Sequence, residues 1–237
     1  MIQTVRWLGA AVIATLRQGT RAVTASWRGI PDEPGGPYDR AAWDWSAALL
    51  RAGRITVRVE GPGVLRDRPV VYVANHISVL DIPALVVGLP PVPKFVMKKE
   101  LLKVPLFGSA ARAAGHIAID RANRGAAFAA YDQAAGVVRR GRSALVFAEG
   151  TRSRNGTLLP FKKGAFVLAI AAQVPVVPVL VMGSYDLMPK LTLVPKPGEI
   201  VIRIGEDIPT AGRSYGDRDE LSDLVRTAMV ELGAAAA

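Results

Sequence analysis

Short runs of β-branched and aromatic residues alternate along this sequence with stretches whose apolar residues recur at helical spacing. That alternation constrains the fold more than any other feature. Ile55, Val57 and Val59 alternate with polar positions, and Ile200, Ile202 and Ile204 do the same near the end. Between them lie Val70-Val71-Tyr72-Val73-Ala74, Lys94-Phe95-Val96-Met97, His116-Ile117-Ala118-Ile119, Ser143 to Phe147 and Val174 to Met182. Such runs read as strands. Pro175 and Pro178 make the last one a poor spanning helix and a better strand entering the core. The intervening stretches predict helices: residues 82–87, a helix start near Pro105, a helix from an Asn123 N-cap to about Arg140, a helix over about 164–173, and a C-terminal helix. The third would turn Phe128, Tyr131, Ala135 and Val138 inward and stop at Gly141. The C-terminal one carries Leu221, Leu224, Val225, Ala228, Met229 and Leu232 on one face. Strands alternating with helices predict an α/β fold with a mixed, mostly parallel sheet flanked by helices. This domain is expected over residues 54–237.

Residues 1–53 read differently. Ile2, Val5, Leu8, Val12 and Leu16 sit at helical spacing, a break follows at Pro31 to Pro37, and Ala41, Trp45, Ala48, Leu49 and Ala52 form a second stripe. The uncharged segment from Trp7 to Leu16 is too short to span a bilayer, which needs about twenty residues. All four tryptophans lie here, with seven arginines up to Arg54 against four acidic residues. Tryptophan prefers the membrane–water interface and arginine is drawn to anionic headgroups. These features predict a two-helix element lying in the interface. A hairpin packed on the core with buried tryptophans is the competing reading.

The net charge of +10, with a pI near 10.3, favours anionic partners. It is spread along the chain, and no aromatic-basic run of the RNA-binding kind appears, so nucleic acid is not expected as a partner. There is no cysteine, which excludes disulfides and thiolate metal sites, and with only two histidines no metal site is expected.

Asn75-His76-Ile77-Ser78-Val79-Leu80-Asp81 follows the strand at 70–74 and precedes an apolar helical stretch. In one unbroken helix, residues five apart are offset by about 140° and do not face each other. A His76–Asp81 contact therefore needs His76 in the turn before the helix and Asp81 one turn inside it, with Ser78 as N-cap. Asp81 would then fix one ring nitrogen and leave the other to take a proton.

Four segments in order resemble the sequence blocks of the glycerolipid acyltransferases: Asn75-His76-x-Ser78-x-x-Asp81, Gly115-His116-Ile117-Ala118-Ile119-Asp120-Arg121, Phe147-Ala148-Glu149-Gly150-Thr151-Arg152 and Val174-Pro175-Val176-Val177-Pro178. The resemblance covers about residues 55–210 and points to the bacterial 1-acyl-sn-glycerol-3-phosphate (lysophosphatidic acid) acyltransferases. It implies an α/β domain, an N-terminal two-helix membrane anchor, a catalytic first block, and a phosphate site for the acceptor in the second and third. Ala148 departs from the family's usual proline, which would loosen the backbone before Glu149.

On that resemblance His76 is the general base on the acceptor hydroxyl and Asp81 orients it, with no separate protein nucleophile. Arg121, Glu149, Gly150, Thr151, Arg152 and Lys98 are the expected phosphate site. Glu149 is the exception in kind, since its charge suits ordering the turn or bracing an arginine better than meeting a phosphate. His116 lacks a carboxylate at the same spacing and reads as a strand position. The implied reaction moves a fatty acyl group from an acyl thioester to lysophosphatidic acid, giving phosphatidic acid. The donor is acyl-CoA or acyl carrier protein, and no cofactor is needed. Glycerol-3-phosphate or another lysophospholipid is the alternative acceptor. A non-catalytic basic protein coating membranes would explain the charge and the tryptophans but not the His/Asp pair. The expected location is the cell membrane, peripheral or monotopic on the cytoplasmic face.

Overall fold

The computed structural model describes residues 2–62, 68–120 and 124–234. Two helices come first, α1 (Ile2–Trp27) and α2 (Pro37–Gly53). Then follow β1 (Ile55–Glu60), β2 (Val71–Ala74), α3 (Asp81–Gly88), β3 (Lys94–Lys98), α4 (Phe107–Ala113), β4 (Ile117–Ile119) and α5 (Arg124–Arg139). The chain continues through β5 (Ala144–Phe147), α6 (Gly164–Ala172), β6 (Val176–Met182), α7 (Ser184–Leu187), β7 (Gly198–Ile204) and α8 (Arg218–Ala234).

The strands form one seven-stranded sheet in the order β1-β7-β6-β2-β5-β3-β4. Every neighbouring pair is parallel except β6 and β7. Period-two alternation divides the core between the faces. Tyr72, Ala74, Leu145 and Phe147 pack on one side with Leu80, Leu85 and Leu89 of the α3 region and Leu50 of α2. Val71, Val73, Val146 and Ala148 pack on the other with Ala135 and Val138 of α5, Phe166 and Leu168 of α6, and Leu221 and Val225 of α8. β2 and β5 are buried along their whole length, which is why they read as unbroken apolar runs. The expected mixed, mostly parallel α/β sheet is therefore present. The carboxyl ends of β2, β5, β3 and β6 open on one edge, where folds of this class place ligands.

Several local expectations change. α1 runs for 26 residues, well past Leu16. The Lys98–Pro105 segment is a 3-10 turn over Lys99–Lys103, and α4 begins only at Phe107. Ser78 does not cap α3: the helix starts at Asp81, so this carboxylate lies in its first turn rather than one turn inside. Asn123 and the side chain of Phe128 lie outside the described residues.

The N-terminal helices pack on the domain. Ala22 and Ala25 of α1 and Tyr38 and Ala41 of α2 meet Ala114 in a cluster of alanines around one tyrosine. Gly19 lets α1 close on Leu106, since a Cβ there would lie 2.9 Å from the leucine Cγ. A buried charge network joins the linker and α2 to the sheet. Lys94 Nζ, on a side chain only 2% exposed, donates to Asp32 Oδ1 at 2.8 Å and to the Ala114 carbonyl at 2.7 Å. Arg142 Nη1 donates to Asp39 Oδ2 at 3.2 Å, and its Nη2 donates to Asp39 Oδ1 and the Val92 carbonyl. Burial lowers the Lys94 pKa, and the hydrogen bond to Asp32 opposes that fall.

The tryptophans split between both readings. Trp7 packs against the core and Trp45 Nε1 donates to Thr15 Oγ1 at 3.0 Å, whereas Trp27 is 82% and Trp43 is 44% exposed. Val5, Leu8, Val12 and Leu16 form an exposed apolar stripe on α1. Among the described residues no helix is long and apolar enough to cross a membrane.

Candidate active site

His76 leaves the end of β2 two residues after Ala74, and Glu149 leaves β5 two residues after Phe147; Ala74 and Phe147 are register partners. Parallel pairing of these strands thus sets the first and third sequence blocks side by side. The turns are then stitched through His76 itself. Its backbone N–H donates to Glu149 Oε1 at 2.9 Å, and its carbonyl accepts from Ser153 N–H at 2.8 Å.

The His76 ring stacks on Phe147 with centroids 3.9 Å apart. Its Nδ1 meets Asp81 Oδ2 at 2.8 Å. The same oxygen accepts the backbone N–H groups of Ile77 at 2.7 Å and Ser78 at 2.8 Å. Ser184 Oγ donates to Asp81 Oδ1 from the start of α7. Ionised Asp81 is an acceptor only, so Nδ1 carries the ring proton and Nε2 is left with a lone pair. The Asp81 side chain is fully buried and that of His76 is 15% exposed, which keeps the pair dry yet reachable. Asn75 fixes the end of β2 to β6 by exchanging two hydrogen bonds with the Val181 backbone, at 2.9 and 2.7 Å.

Glu149 is buried, with its other oxygen accepting Leu159 N–H at 3.1 Å. Both carboxylate oxygens are therefore committed to backbone N–H groups of the turn. Burial pushes its pKa up to about 7, against the pull of those two hydrogen bonds. Gly150 follows at φ +69°, a conformation that costs glycine nothing. Ala148, in the place of the usual proline, donates its N–H to the Ala74 carbonyl at 3.1 Å, a bond proline cannot make. The departure that predicted a looser backbone thus adds a tie between β2 and β5.

Gly150, Thr151 and Arg152 line a cavity of about 440 Å³ together with His76 and Lys98. Arg152 is half-buried and Lys98 exposed, and neither has a carboxylate partner among the described residues. Beyond this polar mouth the wall turns apolar, through Ile82, Val86, Phe95 and Met97 to Ala22, Ala41 and Trp45 of the N-terminal helices. Arg121 lies outside the described residues. Lys99 is paired with Asp120. His116 sits just before β4, with its Nδ1 accepting Phe95 N–H at 3.1 Å. Burial lowers its pKa to about 3, so it stays neutral with the proton on Nε2. Among the described residues no group of three His, Asp or Glu side chains is placed to hold a metal ion.

The arrangement offers an oriented imidazole, two cations on the same cavity that have no carboxylate partner among the described residues, and an apolar recess of hydrocarbon character. Sequence reasoning missed Ser184, Ser153 and Leu159 as partners of the site. Ser184 reaches Asp81 across 103 residues of chain, and the only local hint was a Gly-Ser pair closing the long apolar run.

Residues 56–182 match the sequence model of the family described as Acyltransferase. The human 1-acyl-sn-glycerol-3-phosphate acyltransferase alpha is 36% identical over 178 residues, covering 73% of this chain and 63% of that protein. Its mouse counterpart is 38% identical over 182 residues, covering 74% and 64%. The chain thus spans less than two thirds of the length of these curated relatives. The crystal structure of the 1-acyl-sn-glycerophosphate (LPA) acyltransferase PlsC from Thermotoga maritima superimposes with a TM-score of 0.81 at 27% identity, covering 100% of this chain and 95% of that one.

Proposed function

The chain belongs to the acyltransferase family, and on that premise we propose that it transfers a fatty acyl group from an acyl thioester to the free hydroxyl of lysophosphatidic acid, giving phosphatidic acid. The observation that carries this reading is the stitching of the two turns through His76. It holds Arg152 between the anchored residues Glu149 and Ser153, on the same cavity as the imidazole.

His76 Nε2 takes the proton of the acceptor hydroxyl as its oxygen attacks the thioester carbonyl. Asp81 holds the ring and stabilises the imidazolium, and the collapsing tetrahedral species expels the thiolate, which recovers the proton. Arg152, with Lys98 as a point charge, takes the acceptor's phosphate dianion, for which a planar guanidinium offers two aligned donors. Arg121 and the Gly150-Thr151 backbone complete that site. The apolar recess receives hydrocarbon. The donor is acyl-CoA or acyl carrier protein. The exposed stripe of α1, with Trp27 and Trp43, seats the enzyme on the cytoplasmic face of the cell membrane.

The test is a mass-resolved product assay with purified protein, both donor types, and lysophosphatidic acid, glycerol-3-phosphate and other lysophospholipids as acceptors. Phosphatidic acid formed with the highest kcat/KM is expected. A higher kcat/KM on any other acceptor overturns the acceptor assignment.

A further inference from the structure

The α7–β7 connection carries leucines where a folded core has no use for them. Leu191 is 93% exposed and Leu193 72% exposed. Leu191 adopts φ +79°, a left-handed conformation that a leucine enters only at a cost. The segment is nonetheless tied down. Thr192 N–H donates to the Pro189 carbonyl at 3.1 Å, and Lys196 N–H donates to the Leu187 carbonyl at 2.8 Å. Gln3 Nε2 of α1 donates to the Pro195 carbonyl at 3.0 Å, so the segment is anchored beside the start of α1. At its other end, Ser78 Oγ of the active-site turn donates to the Met188 carbonyl at 2.8 Å. Lys190 and Lys196 flank the leucines without a carboxylate partner among the described residues.

We propose that residues 188–197 form a second membrane-contacting element, which places Leu191 and Leu193 in the surface of a bilayer containing anionic phospholipid. The inference rests on the interfacial reading of α1 for its orientation, and its own evidence is separate. Strain is retained where the surroundings hold it in place, and here it presents an apolar side chain to the outside. Lysines beside inserted leucines suit an anionic headgroup layer, where each contributes roughly fivefold to binding. A water-facing loop gains nothing from either feature. Because the same segment is bonded to Ser78, docking it also fixes the height of the His76 turn above the bilayer.

The absence of cysteine allows single labelling sites in the full chain. Leu191→Cys, Val12→Cys and Leu224→Cys would each carry an environment-sensitive fluorophore and be mixed with phosphatidylcholine–phosphatidylglycerol vesicles bearing a chain-linked quencher. Leu224 is exposed on α8, which packs on the opposite face of the sheet, and serves as control. The expected result is a blue shift and quenching at positions 12 and 191, and neither at 224. A response at 12 without one at 191 overturns the proposal and leaves the α1 reading standing. A response at 191 without one at 12 keeps the proposal and removes the α1 reading. Silence at both, or an equal response at 224, overturns both. As a second measure, Leu191→Ala with Leu193→Ala should weaken vesicle partition roughly tenfold or more. Unchanged partition would overturn the proposal.

Discussion

The backbone N–H of His76 donates to the carboxylate of Glu149 at 2.9 Å, across 73 residues of chain. Glu149 is a buried acid whose pKa rises to about 7, chiefly by desolvation. A folded-state value above the unfolded one means that its stabilising contribution is complete below about pH 4.5 and is lost as pH rises through about 7. At 1.36 kcal/mol per unit the span is about 3 kcal/mol. Urea unfolding from pH 4 to 8 should show this decline in the wild type. In Glu149→Gln the group no longer titrates, so that component of the slope should vanish. An unchanged slope would mean that another group titrates there.

His76→Ala should lower kcat by about 10²–10⁴ or more while the thermal transition stays close to wild type. Asp81→Asn should also be severe, because an amide at this position can hold the wrong ring tautomer. Near-normal turnover in His76→Ala, with His116 intact, would remove the general-base assignment.

Ser184 is buried and touches Asp81 but does not line the cavity. On the proposed mechanism its role is to position Asp81. Ser184→Ala removes a hydrogen bond to a charged group, worth about 1.5–3 kcal/mol. The expected effect is a fall in kcat of roughly tenfold or more with KM unchanged. A rise in KM together with a lowered melting temperature would instead mark a purely structural serine.

Arg152→Ala should lower kcat/KM for a phosphorylated lyso-acceptor by roughly 10- to 100-fold, the worth of one charge-assisted contact. Arg152→Lys should restore only part of it, since a point charge cannot replace the guanidinium fork. With a monoacylglycerol acceptor, which the wild type should use poorly, neither substitution should matter. Equal losses on both acceptors would show that Arg152 holds the turn together.

Asp39→Asn takes from the buried Arg142 guanidinium the carboxylate that accepts from both its Nη atoms, and leaves it only Asp32, at 3.6 Å. Breaking such a pair costs about 3–5 kcal/mol, and a melting temperature lowered by several degrees is the expected readout. The same reasoning applies to removal of residues 1–53. It would strip both Lys94 and Arg142 of their carboxylates, so the sheet domain should lose stability along with any membrane binding. A truncated domain as stable as the full chain would contradict this account of the network.

Periodicity was enough to place all seven strands and the main helices, because burial on both faces forces continuous apolar runs such as Val71–Ala74 and Ala144–Phe147. The pairing of His76 with Asp81 was legible for a related reason: five residues across a strand-to-helix turn are a local problem. What lay beyond local chemistry was decided by tertiary contact. The registry of β2 against β5 brings Glu149 to the His76 backbone, and α7 delivers Ser184 to Asp81. Both depend on which strands become neighbours. Glu149 reads as a turn residue either way, but its burial and both its partners exist only in the folded sheet. The sequence marks Pro31 to Pro37 only as a break between two helices, and nothing local assigns Asp32 or Asp39 a partner. Lys94 and Arg142, from β3 and the approach to β5, are buried cations that need counter-charges, and they hold Asp39 buried and Asp32 at the edge of the network. Local sequence determines the elements and the chemistry each can carry. Strand order, through the low dielectric and fixed distances it imposes, decides which of those groups meet.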